Sequence, residues 1–322
     1  MTPSSARATA ADRTWAERQL TAATLCAAAM VVLSGLWICF LLAHLGDPGV
    51  SASAQELCVL PYGLAAVVAG VLLHAHRPGG AAGWVLLAFG VSVILPATAA
   101  ALVWVERPGG AVRGAVVVLV MLANVVQDTL WYTLPLWFPD ERLTSRWWRL
   151  YVAAVALWMV PQHFVYAASA DRFGGPNPLY GAWGDTAATL SGLLTGAWER
   201  SIYLFVGVGT AALLARLRSE GTRTRRQMRP LLVGYLLMQG GQTAYRHLYA
   251  DHYWLGFGLF IAGSTLWASS FVLFVVRSGS WRISRSSRRM IAGLLVATLL
   301  TAGYVAAAAV LATGLPLGRA SD

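Results

Sequence analysis

The chain has no lysine: its 24 basic residues are all arginine, set against 14 acids in 322 residues. Charged residues of either sign make up only 12%, and 57% of the chain is hydrophobic. Cysteine is equally sparse. Cys26, Cys39 and Cys58 show no CxxC or Cys/His ligand spacing, which argues against both a zinc site and a disulfide framework. Cys26 and Cys39 read instead as apolar packing. No small-residue cleavage signal follows the first apolar run, so the polar residues 1–20 are expected to form a cytoplasmic tail. No connection is long enough for a folded extramembrane domain, and nothing points to a metal or nucleotide cofactor.

What the chain does have is a series of apolar runs of about 20 residues, the length that crosses a bilayer. Hydropathy places them at 21–44, 57–75, 82–104, 114–138, 150–170, 187–215, 230–250, 254–276 and 290–313. The predicted fold is all-α, a polytopic transmembrane bundle of about nine spans over 21–314, with 315–322 as a short extracytoplasmic tail. With the N-terminus inside, 18 of the 24 arginines fall on the inner side. That bias sets the orientation and explains the net charge of +10 without a nucleic-acid partner. The expected location is the bacterial inner (plasma) membrane, with lipid as a partner. The basic inner loop 216–229 is a possible docking surface for a protein.

Inside this apolar background, Asp128 lies near the middle of the fourth run, Gly114 to Phe138. A carboxylate at that depth is costly unless it is paired, protonated or facing a cavity, so it marks a candidate site. Asn124, Asp128, Trp131 and Tyr132 share a helical face, as do His163 and Tyr166 on the next run. Glu199 and Tyr203 stack on the sixth; Tyr235, Gln242, Tyr245 and Arg246 follow on the seventh. Each group also has a structural reading. Glu199 beside Trp198 would mark the outer interface, Arg246 would neutralise an acid, and His163 would join ordinary interhelical hydrogen bonding.

Several stretches resemble the membrane-embedded N-terminal sensor region of actinobacterial sensor histidine kinases. They are HRPGGAAGWVLLAFG at 76–90, LWFPDERLTSRWWR at 136–149, NPL at 177–179, RLRSEGTRTRRQMRPLL at 216–232 and the stretch from Val275 through Arg289. The resemblance implies a shared membrane scaffold. In those kinases a phosphoacceptor domain and an ATP-binding domain come next; here the sequence continues only as GLPLGRASD, so phosphotransfer by this chain alone is not expected. The polar groups within the spans also depart from the mostly aliphatic pattern of the sensor regions.

Three functions fit these residues. The first is an integral membrane enzyme on a hydrophobic small-molecule substrate, such as a terpene cyclase acting on a polyprenyl (terpenoid or meroterpenoid) chain. Low dielectric favours the neutral form of a carboxylic acid, which can protonate an alkene, and aromatic faces stabilise the resulting cation without trapping it. Asp128 would be the acid, with Glu199 as alternative acid or terminating base. Trp131, Tyr132, Tyr203, Tyr235 and Tyr245 would line the cavity, and His163, Gln242 and Arg246 would orient the acids. Neither the aspartate-rich metal motif nor the acid-bearing repeat of soluble cyclases is present. The second function is an orphan sensory or regulatory module acting through a partner. The third is a proton-coupled transporter relaying through Asp128, His163 and Glu199.

Overall fold

The computed structural model describes residues 10–44, 59–76, 80–106, 109–138, 143, 145–169, 171–172, 175–219, 221–248 and 253–277. Eight α-helices lie among them: α1 Ala10–Ala43, α2 Leu60–His76, α3 Ala81–Glu106, α4 Gly110–Thr133, α5 Arg146–Ala167, α6 Tyr180–Ser219, α7 Thr222–Leu248 and α8 Tyr253–Arg277. A two-residue antiparallel pairing, Asp171–Arg172 with Gly175–Pro176, lies between α5 and α6. The predicted ninth span, 290–313, falls outside the described residues, as do Cys58 and the tail 315–322.

Six of the helices are long and apolar enough to cross a membrane, which marks this as a membrane protein: α1, α3, α4, α5, α6 and α8. The other two depart from the expected nine spans for different reasons. α2 is apolar but has only 17 residues, ~26 Å at 1.5 Å per residue against a hydrocarbon core of about 30 Å. α7 is long enough, but its first turns carry Arg223, Arg225, Arg226 and Arg229 and its last part Gln239, Gln242 and Arg246.

The expected inner loop 216–229 is also mostly helix. α6 continues to Ser219 and α7 starts at Thr222, because arginine, glutamine and methionine are good helix formers and only Gly221 breaks the run. α6 thus reaches 40 residues, ~60 Å, about twice the hydrocarbon thickness.

The bundle is built on two close helix pairs, α2 with α3 and α7 with α8, and α2 also packs on α8. Glycine permits the close approach. A methyl group at Gly90 would fall 2.7 Å from the Gly63 carbonyl oxygen, and one at Gly234 would fall 2.9 Å from the Trp267 Cα. α4 packs on α3 and α5, and α6 on α5 and α7. Leu25, Leu122, Leu157, Leu193 and Leu204 point outward from α1, α4, α5 and α6, as lipid-facing side chains do.

Two polar clamps fix the ends. Pro135 has no N–H to continue α4, so the chain tightens into a 3-10 turn over Leu134–Trp137. The Arg216 guanidinium donates to the carbonyls of Leu136 at 2.7 Å and Pro135 at 3.4 Å. At the other end buried Asn177 donates through Nδ2 to the carbonyls of Ala167 at 2.6 Å and Ser169 at 2.8 Å, and its Oδ1 accepts from the Leu179 N–H at 3.0 Å. One carboxamide therefore closes α5 and positions the start of α6.

Candidate functional site

α4 and α5 bring Asp128 and His163 together. His163 Nε2 lies 3.0 Å from Asp128 Oδ2, so the two side chains share a hydrogen bond. The histidine is 12% exposed and the carboxylate 28%, so the pair is protected but not sealed. One turn along α4, Tyr132 is buried and its hydroxyl accepts from Gln242 Nε2 of α7 at 3.5 Å, a long bond. Asp128 and the Arg246 guanidinium are both within electrostatic reach of that hydroxyl. Arg246 forms no ion pair with Asp128 among the described residues; histidine takes that place.

The rings are packed differently from a chamber wall. Trp131 is buried among Tyr62 and Phe89 at 5.8 Å, Phe260 at 5.6 Å and Trp267 at 5.8 Å between centroids. These rings fill the junction of α2, α3, α4 and α8 against one another. Tyr132 packs on Phe205 at 5.5 Å. Tyr235 is fully buried, with its hydroxyl against Gly209 of α6, where a methyl group would meet it at 2.5 Å. Tyr245 stacks on Phe260 at 5.8 Å. Trp131 and Tyr235 are thus core rings packed on neighbours, and Tyr245 is a half-buried ring packed against that core.

Glu199 and Tyr203 do not join the cluster. Both are exposed on α6, and neither has an ion pair or hydrogen bond to the site among the described residues. The helical spacing that stacks them on each other is correct, but it turns them away from α4. Their neighbours Trp198 and Ser201 face inward instead, with Trp158 Nε1 donating to Ser201 Oγ at 2.9 Å.

The space expected around the rings lies elsewhere. A partly open cavity of about 160 Å³ is lined by Tyr62 of α2, Pro96 of α3, Asn124 and Gln127 of α4 and Tyr166 of α5, with aliphatic residues between them. It lies where α2, α3, α4 and α5 come together, beside the later turns of α3, whose Ala97 and Ala100 are buried against it. Asn124 is four residues before Asp128 and Tyr166 three after His163. Neither Asp128 nor His163 is in the lining: the pair lies about one turn, ~5 Å, from Asn124 and Tyr166, with Gln127 next to Asp128 in the chain. Tyr62 and Pro96 had no legible signal in sequence, since each sits in an otherwise apolar helix.

Two other buried groups stand apart. His74, in the last turn of α2, has neither ring nitrogen hydrogen-bonded and packs on Trp84 at 4.6 Å. Arg113, in the first turn of α4, is buried with Nη1 unpartnered. No family model, curated protein or solved structure matches the chain.

Proposed function

We propose that the chain is an integral membrane enzyme that cyclises a polyprenyl chain by protonating one of its alkenes, in the bacterial inner membrane with its N-terminus cytoplasmic. The observation that supports this most is the 3.0 Å contact between Asp128 and His163 near a cavity formed between apolar helices. With His163 as the Nε2–H tautomer donating to Asp128 Oδ2, the acid proton sits on Asp128 Oδ1. In the reactive form Asp128 carries it; the alkene π pair takes it, a C–H bond forms, the carboxyl O–H breaks, and a tertiary cation remains on the substrate. His163 holds the carboxyl in place and hydrogen-bonds the carboxylate left behind. After ring closure a proton leaves the cation, and its return to the pair completes the cycle with no net consumption.

Tyr132 and Trp131 sit on the next turn after Asp128, but both are buried against neighbouring rings, so in this packing they support the α4 wall and are not presented to the cation. Gln242 of α7 donates to the Tyr132 hydroxyl, while Arg246 is exposed and makes no bond to it among the described residues.

The test is turnover. The chain is reconstituted in nanodiscs and incubated with a panel of prenylated ring compounds and free polyprenols, and products are read by mass spectrometry and NMR. Cyclised, mass-neutral products that vanish in Asp128→Asn support the reading; no cyclisation across the panel overturns it. The same pair would also serve proton-coupled transport, and proteoliposomes loaded with a pH dye separate the two, since a cyclase moves no net proton across the bilayer.

A further inference from the structure

Asn124 and Gln127 both line the 160 Å³ cavity, three residues apart on α4, and neither carboxamide makes a hydrogen bond among the described residues. Both side chains are partly buried beside a partly open cavity, so within a membrane bundle they depend on whatever fills that cavity for their hydrogen bonds. Two of them on one turn, turned into the same space, call for an occupant with matching donors and acceptors.

Their chemistry narrows the occupant. A carboxamide offers two N–H donors and a carbonyl acceptor and carries no charge. No charged side chain lines the cavity, so a phosphate or carboxylate would enter without a counter-charge. An acyl chain would leave both amides unsatisfied. The volume is close to that of a cavity that holds a single benzene-sized ring, well below the 300 Å³ or more of ordinary ligand pockets. Tyr62 of α2 and Tyr166 of α5 supply the aromatic part of the lining.

We infer that this cavity binds one neutral, amide-bearing ring, a lactam or cyclic imide, through paired hydrogen bonds to Asn124 and Gln127. On the cyclase reading, the ring is the polar head of a prenylated heterocycle, and its alkenyl chain extends one turn along α4 to Asp128. The ring binding itself does not depend on that reading.

The probe is 5-fluoro-2-pyridone, a six-membered lactam, added to the full chain in nanodiscs and followed by fluorine NMR line broadening. Fluorobenzene, of similar size without an amide, and 4-fluorobenzoate, an anion, are the comparisons. The expected result is saturable broadening of the pyridone alone, weakened tenfold or more in Asn124→Leu and Gln127→Met. Both substitutions are near-isosteric and apolar, so membrane insertion and helical content, checked by circular dichroism, are kept. Asp128→Asn retains binding.

Equal binding of fluorobenzene or fluorobenzoate, or unchanged pyridone binding in both α4 variants, overturns the inference. So does co-purification of a lipid whose removal abolishes any binding difference. Pyridone binding without turnover of any prenylated compound leaves the ring site standing and removes the cyclase. Turnover of free polyprenols without pyridone binding does the reverse.

Discussion

His163 Nε2 and Asp128 Oδ2 lie 3.0 Å apart across the α4–α5 contact, joining residues 35 positions apart in sequence at a depth where neither has an alternative polar partner among the described residues. A pair of this kind acts as one unit. Asp128→Asn is expected to lower turnover by about 10²–10⁴, the usual contribution of a positioned acid. The double variant Asp128→Asn/His163→Gln should be little worse than the first alone, because the second change removes a group that works only through the acid. Steady-state kinetics on the wild type, Asp128→Asn, His163→Gln and the double variant checks this, and additive losses would count against the two residues acting as one unit.

Glu199→Gln and Tyr203→Phe are expected to leave turnover within about twofold and thermal stability within about 0.5 kcal/mol, the range of exposed positions without partners. A large loss of activity in Glu199→Gln would restore it as an acid or terminating base.

The α4–α6 clamp tests the fold independently of function. Arg216→Lys loses the forked contact to Leu136 and Pro135, since an ammonium cannot place two N–H groups in that geometry. A loss of about 1.5–3 kcal/mol is expected from bonds made by a charged donor. Denaturant or thermal unfolding in mild detergent reads it, and full rescue by lysine would show that charge alone matters there.

Asn177 yields an inversion of the usual order of severity. Asn177→Asp keeps the shape but turns an oxygen toward the carbonyls of Ala167 and Ser169, so it should destabilise more than Asn177→Ala, which only removes the bonds. Melting temperatures of the two variants decide it.

Tyr132→Phe separates position from packing. The ring stays against Phe205, so stability should change by less than about 1 kcal/mol for loss of one long hydrogen bond to Gln242. Trp131→Ala, by contrast, opens the aromatic junction and is expected to cost about 3–5 kcal/mol. Unfolding measurements on both variants compare the two.

The apolar runs by themselves determined that the chain is helical and suited to a membrane, because helix is the form in which each segment satisfies its own backbone in hydrocarbon. They also singled out Asp128, since a lone acid in an aliphatic stretch is expensive wherever the bundle places it. The spacing rule put Asn124, Asp128 and Tyr132 on one face, which depends only on 3.6 residues per turn. Which helix that face meets was not legible.

Only the packing of α5 on α4 chose His163 over Arg246 as the partner of Asp128, and only the rotation of α6 turned Glu199 outward while Trp198 and Ser201 faced in. The way α2, α3, α4 and α5 meet put the open space at Asn124, Gln127 and Tyr166, while Trp131 and its aromatic neighbours closed on one another. Periodicity fixes what a helix offers on each side; the relative rotation and depth of its neighbours, set by long-range contacts, decide which offer is taken.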